Sequence, residues 1–125
     1  MKRNEEKERR TELSKEAANW WTEQLREAIR RVRRDELSSN IVSFYPISLP
    51  TERAVQKFEK LLISMMKREL KKKREIYLEC HQGSVTGYLF WSANANCIDL
   101  RLFKPYCRMK VSMETGITIY DDTST

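Results

Sequence analysis

Apolar residues recur every three or four positions in two long stretches of this chain, which places them on one face of a helix. The first stretch predicts a helix from about residue 12 to 35. The second predicts a helix from about 52 to 72, with Thr51 as its N-cap, and residues 36–50 connect the two. The apolar positions are Leu13, Ala17, Trp20, Trp21, Leu25, Ala28, Ile29 and Val32 in the first helix, and Ala54, Val55, Phe58, Leu61, Leu62, Met65, Met66 and Leu70 in the second.

A period of two replaces the helical spacing in the second half of the chain. Residues 75–81 alternate between polar and apolar side chains, which predicts a half-buried strand. Residues 109–113 and 117–120 alternate in the same way on either side of a turn at 114–116. These two stretches therefore predict a β-hairpin near the end of the chain.

The segment 84–97 fits two structures, a second hairpin strand or a short helix capped by Ser84. The helix is favoured because small or apolar residues recur there at every fourth position. These residues are Val85, Leu89, Ala93 and Cys97.

The order of predicted elements indicates the fold class. Helices and strands do not alternate strictly, which disfavours a parallel, doubly wound sheet. We expect an α+β fold with two long helices packed on a small, mainly antiparallel sheet that ends in the β-hairpin. The 125 residues fit a single domain. Within it, we expect residues 1–11 to be a frayed, charged N-terminus and residues 121–125 to be a loose tail.

The charge of the chain points to acidic partners. Lys and Arg number 24 against 18 Asp and Glu, for a net charge of +6. Such a field favours nucleic acid, an anionic membrane or an acidic protein surface. A membrane partner is disfavoured, because the sequence has neither a secretory h-region nor an apolar run near the ~20 residues that a span requires. We therefore expect a cytoplasmic protein.

The sequence shows no pattern typical of a metal, cofactor or catalytic site. None of the three glycines belongs to a phosphate-binding loop, and the cysteines lack close metal-ligand spacing. Cys80 and His81 are adjacent, so on a strand they point to opposite faces. Approach of Cys97 or Cys107 to His81 through the fold stays open. We expect three reduced thiols, at least two of them buried.

Basic residues concentrate at the C-terminal ends of both predicted helices. The helix dipole favours two or three cations at each end, but not six in the eight residues from 67 to 74. Dense cations of this kind neutralise phosphates, and the connection 36–50 is long enough to bring both ends into one patch. The candidate binding residues are Arg26, Arg30, Arg31, Arg33, Arg34, Lys67, Arg68, Lys71, Lys72, Lys73, Arg74 and Trp20.

Trp20 is included because it directly precedes a second tryptophan, Trp21. Neighbouring helical residues project about 100° apart. Two arrangements are open: Trp21 packs into the core and Trp20 is partly exposed, or a wide apolar face buries both rings within the domain, and the second is favoured. An exposed Trp beside arginines would serve as a stacking platform for bases or as an anchor for a protein interface.

Two stretches resemble small proteins from phages and mobile elements of Firmicutes. The first is Ala17-Ala18-Asn19-Trp20-Trp21, and the second is Lys110-Val111-Ser112 followed by Gly116 and Ile119-Tyr120. Some of those proteins are anti-CRISPRs, which bind a Cas effector and block nucleic-acid loading or target binding. The resemblance implies a non-enzymatic inhibitor and assigns no functional residue.

Three functions remain open on the sequence alone. The first is a non-enzymatic basic binding protein that acts on nucleic acid or a nucleoprotein complex. Its most specific version is an anti-CRISPR inhibitor of a Cas effector. The second is a nucleic-acid-processing enzyme or an accessory factor for one. The third is a homodimeric regulatory module assembled through the tryptophan face.

Overall fold

The computed structural model describes residues 2–38, 49–81, 84–85, 87–103 and 107–121. Two long helices pack together and against an antiparallel sheet, which confirms the predicted α+β class. The elements in chain order are α1 (Lys2–Ser38), α2 (Glu52–Lys73), β1 (Glu75–His81), β2 (Ser84–Val85), α3 (Gly87–Ala95), a 3-10 turn (Leu100–Leu102), β3 (Cys107–Ser112) and β4 (Gly116–Asp121).

The first helix is longer at both ends than the apolar spacing predicted. It begins at Lys2 rather than near residue 12, and it ends at Ser38 rather than at 35. The additional N-terminal turns contain almost no apolar residue, so their periodicity gave no signal. They are held instead by polar contacts with the rest of the fold. Arg9 donates to the carbonyl of Met113, and Glu6 pairs with Arg74.

The second helix matches its prediction closely. Thr51 caps it, with its hydroxyl accepting a hydrogen bond from the amide of Ala54 at 3.1 Å. The helix ends at Lys73 and is followed by Arg74, a C-cap in the left-handed region with φ +61°. This residue turns the chain directly into β1, and the Arg74 amide still donates to the carbonyl of Leu70.

The sheet has the strand order β2-β1-β3-β4, and every neighbouring pair is antiparallel. The predicted strand at 75–81 is β1, and the predicted hairpin is formed by β3 and β4. Alternate side chains of β1 and β3 enter the core. They are Ile76, Leu78, Cys80, Cys107, Met109 and Val111.

The ambiguous segment contains a helix, as favoured, but its predicted cap was wrong. Ser84 lies in the two-residue strand β2, and the helix α3 begins only at Gly87, whose φ of +63° suits glycine. Leu89 and Ala93 are buried as the spacing indicated, whereas Cys97 lies beyond the helix and is exposed. The other two cysteines are buried, as expected.

Aromatic rings form the centre of the core beneath α1 and α2. Trp21 and Phe58 are fully buried, and both contact Phe103 edge-on at centroid distances of 6.4 and 5.6 Å. Trp20 packs at the margin of the core, edge-on to Trp21. Trp21 is therefore buried and Trp20 is only partly buried, so the favoured expectation of a face that buries both rings was wrong.

The two long helices are antiparallel. Arg26, in the second half of α1, contacts Glu52 at the start of α2, and Glu6 near the start of α1 contacts Arg74 just beyond α2. The C-terminal end of each helix thus lies beside the N-terminal part of the other. The two basic ends therefore lie at opposite ends of the helix pair, and they do not form the single patch that the length of the connection allowed.

Candidate binding surface

Acidic neighbours already engage most of the basic group on α1. The carboxylate of Glu27 lies 2.8 Å from Arg30, 3.7 Å from Arg31 and 3.8 Å from Arg34. Arg26 is held between Glu23 at 2.9 Å and Glu52 at 2.6 Å. These pairs are exposed or partly exposed, so each adds little stability, but together they reduce the charge offered to a partner.

Local pKa shifts follow from the same contacts. The hydrogen bond from Arg30 lowers the pKa of the Glu27 carboxyl, and the charges of Arg31 and Arg34 add to this effect. The hydrogen bond from Arg26 lowers the pKa of Glu52 in the same way. Both carboxylates therefore remain charged at neutral pH and continue to offset the arginines.

Two shallow clefts lie beside this end of α1. One, of about 350 Å³, is lined by Glu27, Arg30, Arg33 and Arg34. The other, of about 210 Å³, lies between α1 and the 3-10 turn, with apolar atoms of Val32, Leu102 and Phe103 near Arg31 and Arg101. Arg101 is itself paired with Asp99 at 2.6 Å. Arg33 is exposed and has no ion pair among the described residues.

The basic group at the end of α2 is different because most of its cations have no acidic partner. Lys67, Arg68, Lys71 and Lys72 form no ion pair with any part of the chain that the structure describes. Arg68, Lys71 and Lys72 are exposed and Lys67 is half-buried. Lys73, on another side of the helix, lies beside the hydroxyl of Tyr88. Burial raises the pKa of that phenol, and Lys73 offsets only part of the increase.

Arg74 has a structural role that separates it from its neighbours. Its guanidinium contacts Glu114 at 2.8 Å and Glu6 at 3.1 Å, and its carbonyl accepts from the amide of Met113 at 2.9 Å. It therefore joins the end of α2 to α1 and to the turn between β3 and β4. Arg74 therefore holds elements together through its ion pairs, unlike Lys67, Arg68, Lys71 and Lys72.

The structure adds three basic residues that the sequence reasoning did not select. Arg53, Lys57 and Lys60 are exposed on α2, and they form no ion pair with any described residue. Counting about 100° per residue, they share the outward face of the helix with part of the C-terminal group. We call this set the α2 stripe: Arg53, Lys57, Lys60, Lys67, Arg68 and Lys71.

The signal for the α2 stripe was present in the sequence. Apart from the adjacent pair Lys67 and Arg68, its members follow one another at three- and four-residue intervals, with Ser64 at the one uncharged position. The apolar residues of the same helix have the same period on the opposite face. The run at 67–74 stands out by its local concentration of charge, whereas the stripe is recognised only by the helical period of its charges.

The exposed aromatic residues lie away from the tryptophan pair. Trp20 is half-buried and contacts Trp21 edge-on at a centroid distance of 4.9 Å, so only part of its ring is open to a ligand. Trp91 on α3 is 61% exposed and contacts Phe90 edge-on. Because α3 packs beside α2, with Ser92 donating to Met65, Trp91 lies on the neighbouring helix.

The outer face of the sheet is largely neutralised. Arg108 pairs with Glu79 and stacks over Tyr77 at 4.2 Å, and Lys110 pairs with Glu75. These contacts run between β1 and β3 and stabilise the sheet. The α2 stripe is therefore the largest set of unpaired cations on one face among the described residues.

Comparisons with protein-family models, with curated proteins and with solved structures returned no match to this chain. The described residues include no cluster of three or more His, Cys, Asp or Glu side chains suited to a metal ion. None of the described helices is long and apolar enough to cross a membrane.

Proposed function

We propose that this protein is a non-enzymatic binding protein that acts on nucleic acid or on a nucleoprotein complex. The observation that carries the proposal is the set of unpaired cations on α2. An ion pair within the protein must be broken before its cation can neutralise a phosphate, whereas an unpaired cation is available at once. The α2 cations are available in this sense, and most of those on α1 are not.

The resemblance to small mobile-element proteins gives this proposal its most specific form, an anti-CRISPR that binds a Cas effector and blocks nucleic-acid loading or target binding. The channel of a Cas effector is basic and attracts an acidic partner. A strand of nucleic acid is anionic and attracts a basic partner. The basic α2 surface suits the nucleic acid within a nucleoprotein complex better than it suits an empty basic channel. In this form of the proposal, the guide or target strand contributes the contact.

A gel-shift experiment tests the proposal. The purified protein is titrated into labelled single-stranded RNA, single-stranded DNA and duplex DNA, and the recovered nucleic acid is examined for cleavage. We expect a shift with intact nucleic acid. Complete absence of binding to all three, or cleavage that copurifies with the protein through several columns, would contradict the proposal. A Cas cleavage assay with the same protein then tests the inhibitor form.

A further inference from the structure

The α2 stripe is continuous along almost the full length of its helix. Core residues Val55, Phe58, Leu62, Met66 and Leu70 occupy one face. At about 100° per residue, the six members of the stripe fall within roughly 60° of Ser64, which faces away from that core. From Arg53 to Lys71 the stripe extends about 27 Å at ~1.5 Å per residue.

Acidic residues on α2 are kept off this face. Glu59 and Glu69 are half-buried and project about 140° from Ser64, toward the core side of the helix. Glu52, at the N-terminus, is engaged by Arg26. The stripe therefore lacks the i,i+4 acidic partners that usually accompany lysines on a solvated helix face.

Helix stability does not account for the arrangement. Like charges at i,i+4, as in Arg53–Lys57 and Lys67–Lys71, disfavour a helix. The macrodipole favours Lys71 in the last turn but opposes Arg53 in the first. The stripe lowers helix stability at its N-terminal end, and its positive charges repel one another along its length. Binding of a ligand therefore explains the stripe better than folding does.

From these observations, and resting on the proposed function, we infer that the α2 stripe is the binding site and that its ligand is the phosphodiester backbone of nucleic acid. A row of about 27 Å laid along a duplex axis spans roughly eight base-pair steps, at about 3.4 Å of axis per step. A small anion would require donors that converge on one point, and the stripe has none. Contacts to phosphates carry no sequence information, so binding through the phosphodiester backbone is independent of sequence.

Paired variants separate this inference from the proposed function. Lys57→Gln with Lys60→Gln alters only the half of the stripe that the dense C-terminal run does not include. Lys67→Gln with Lys71→Gln alters the other half. Lys7→Gln with Lys15→Gln is the matched control, because it removes the same charge from exposed α1 lysines that have no ion pair among the described residues and are not candidate binding residues. Circular dichroism and thermal unfolding establish that each variant is folded.

Affinity is measured by fluorescence anisotropy with a labelled DNA duplex, a single-stranded RNA of equal length and polyglutamate as an acidic-protein control. We expect each stripe variant to lose about tenfold or more in affinity for the nucleic acids, and its slope of log K against log salt to become less negative by about 1.4–1.8. The control variant should change little. If the wild type binds nucleic acid but the Lys57/Lys60 variant matches the control, the stripe assignment is wrong and the proposed function survives. Tighter binding of polyglutamate than of nucleic acid would overturn the assigned ligand, and no binding at all would overturn both.

Discussion

The guanidinium of Arg26 on α1 lies 2.6 Å from the carboxylate of Glu52 at the start of α2. This contact fixes the second half of one helix beside the first turn of the other. The basic ends of the two helices are consequently separated by about the length of α2, roughly 33 Å. We therefore expect the cations of α2 alone to carry binding and α1 to serve mainly as the packing partner of α2.

We expect Glu27 to keep the α1 arginines from contributing to binding. Replacing Arg30, Arg31 and Arg34 with Gln should have little effect on nucleic-acid affinity in the wild-type background. Glu27→Gln should raise the affinity by about three- to tenfold at low salt, because it releases three guanidiniums that then reach phosphates.

Anisotropy titrations of the four proteins in this cycle measure the coupling directly. The triple Arg variant should lose affinity strongly only when Glu27 has been replaced. A loss of binding from the triple Arg variant in the wild-type background would instead assign the site to α1.

Trp20 should matter for folding and not for binding. Its ring packs edge-on against the fully buried Trp21. Trp20→Ala should lower the free energy of unfolding by about 2 kcal/mol, less than the ~3–5 kcal/mol expected for Trp21→Ala in the core centre. Urea denaturation measures both, and Trp20→Phe is the conservative control. Loss of nucleic-acid affinity by a fully folded Trp20→Ala variant would show that this ring stacks on a base.

Ser14 offers a site for stabilisation. Its hydroxyl is fully buried on the core side of α1 and has no hydrogen-bond partner among the described residues. Ser14→Ala removes that polar group and introduces a better helix former, so it should raise the free energy of unfolding by about 0.5–1.5 kcal/mol.

Thr22→Val provides the contrast, because the hydroxyl of Thr22 donates to the carbonyl of Ala18 at 2.7 Å. That variant should be destabilised or unchanged. A clear destabilisation by Ser14→Ala would show that the Ser14 hydroxyl forms a bond of its own in solution.

Stability should decline in acid because of three paired carboxylates. Hydrogen bonds from Arg30, Arg26 and Arg74 lower the pKa values of Glu27, Glu52 and Glu114, respectively, below the ordinary 4.5. A depressed pKa in the folded state contributes stability above the unfolded pKa, and that contribution is lost as the pH falls through the folded value. The free energy of unfolding should be level near neutrality and should fall below about pH 4.5.

Urea unfolding from neutral pH to about pH 3 measures this decline. The double variant Glu52→Gln with Glu114→Gln should show a shallower loss than the wild type. An identical acid profile in both proteins would mean that these two ion pairs contribute nothing to folding.

The elements of the fold could be predicted where the periodicity of apolar residues coincided with a local capping or turn residue. Thr51 and the apolar face behind it specified α2, and alternation around Gly116 specified the β3–β4 hairpin. The start of α1 was missed because its first turns carry charge without an apolar stripe. They are fixed by distant contacts such as that of Glu6 with Arg74.

The site was readable only in part. The cations of α2 were visible in the sequence, but whether a cation is available to a ligand depends on which acidic side chains lie nearby. That Glu27 offsets three arginines follows from helical spacing, whereas the contact of Arg26 with Glu52 and the commitment of Arg74 to Glu6 and Glu114 depend on tertiary packing. The antiparallel arrangement of the helices was likewise beyond the sequence, because a 15-residue connection permits either orientation.

The salt dependence of wild-type binding tests the central claim most directly. Dissociation constants for a DNA duplex are measured by anisotropy at salt concentrations from about 50 to 200 mM. If the six cations of the α2 stripe each neutralise a phosphate, log K should fall linearly with log salt with a slope of about −5, or about −4 for a single strand. A slope near zero, or no measurable binding at the lowest salt, would contradict the account.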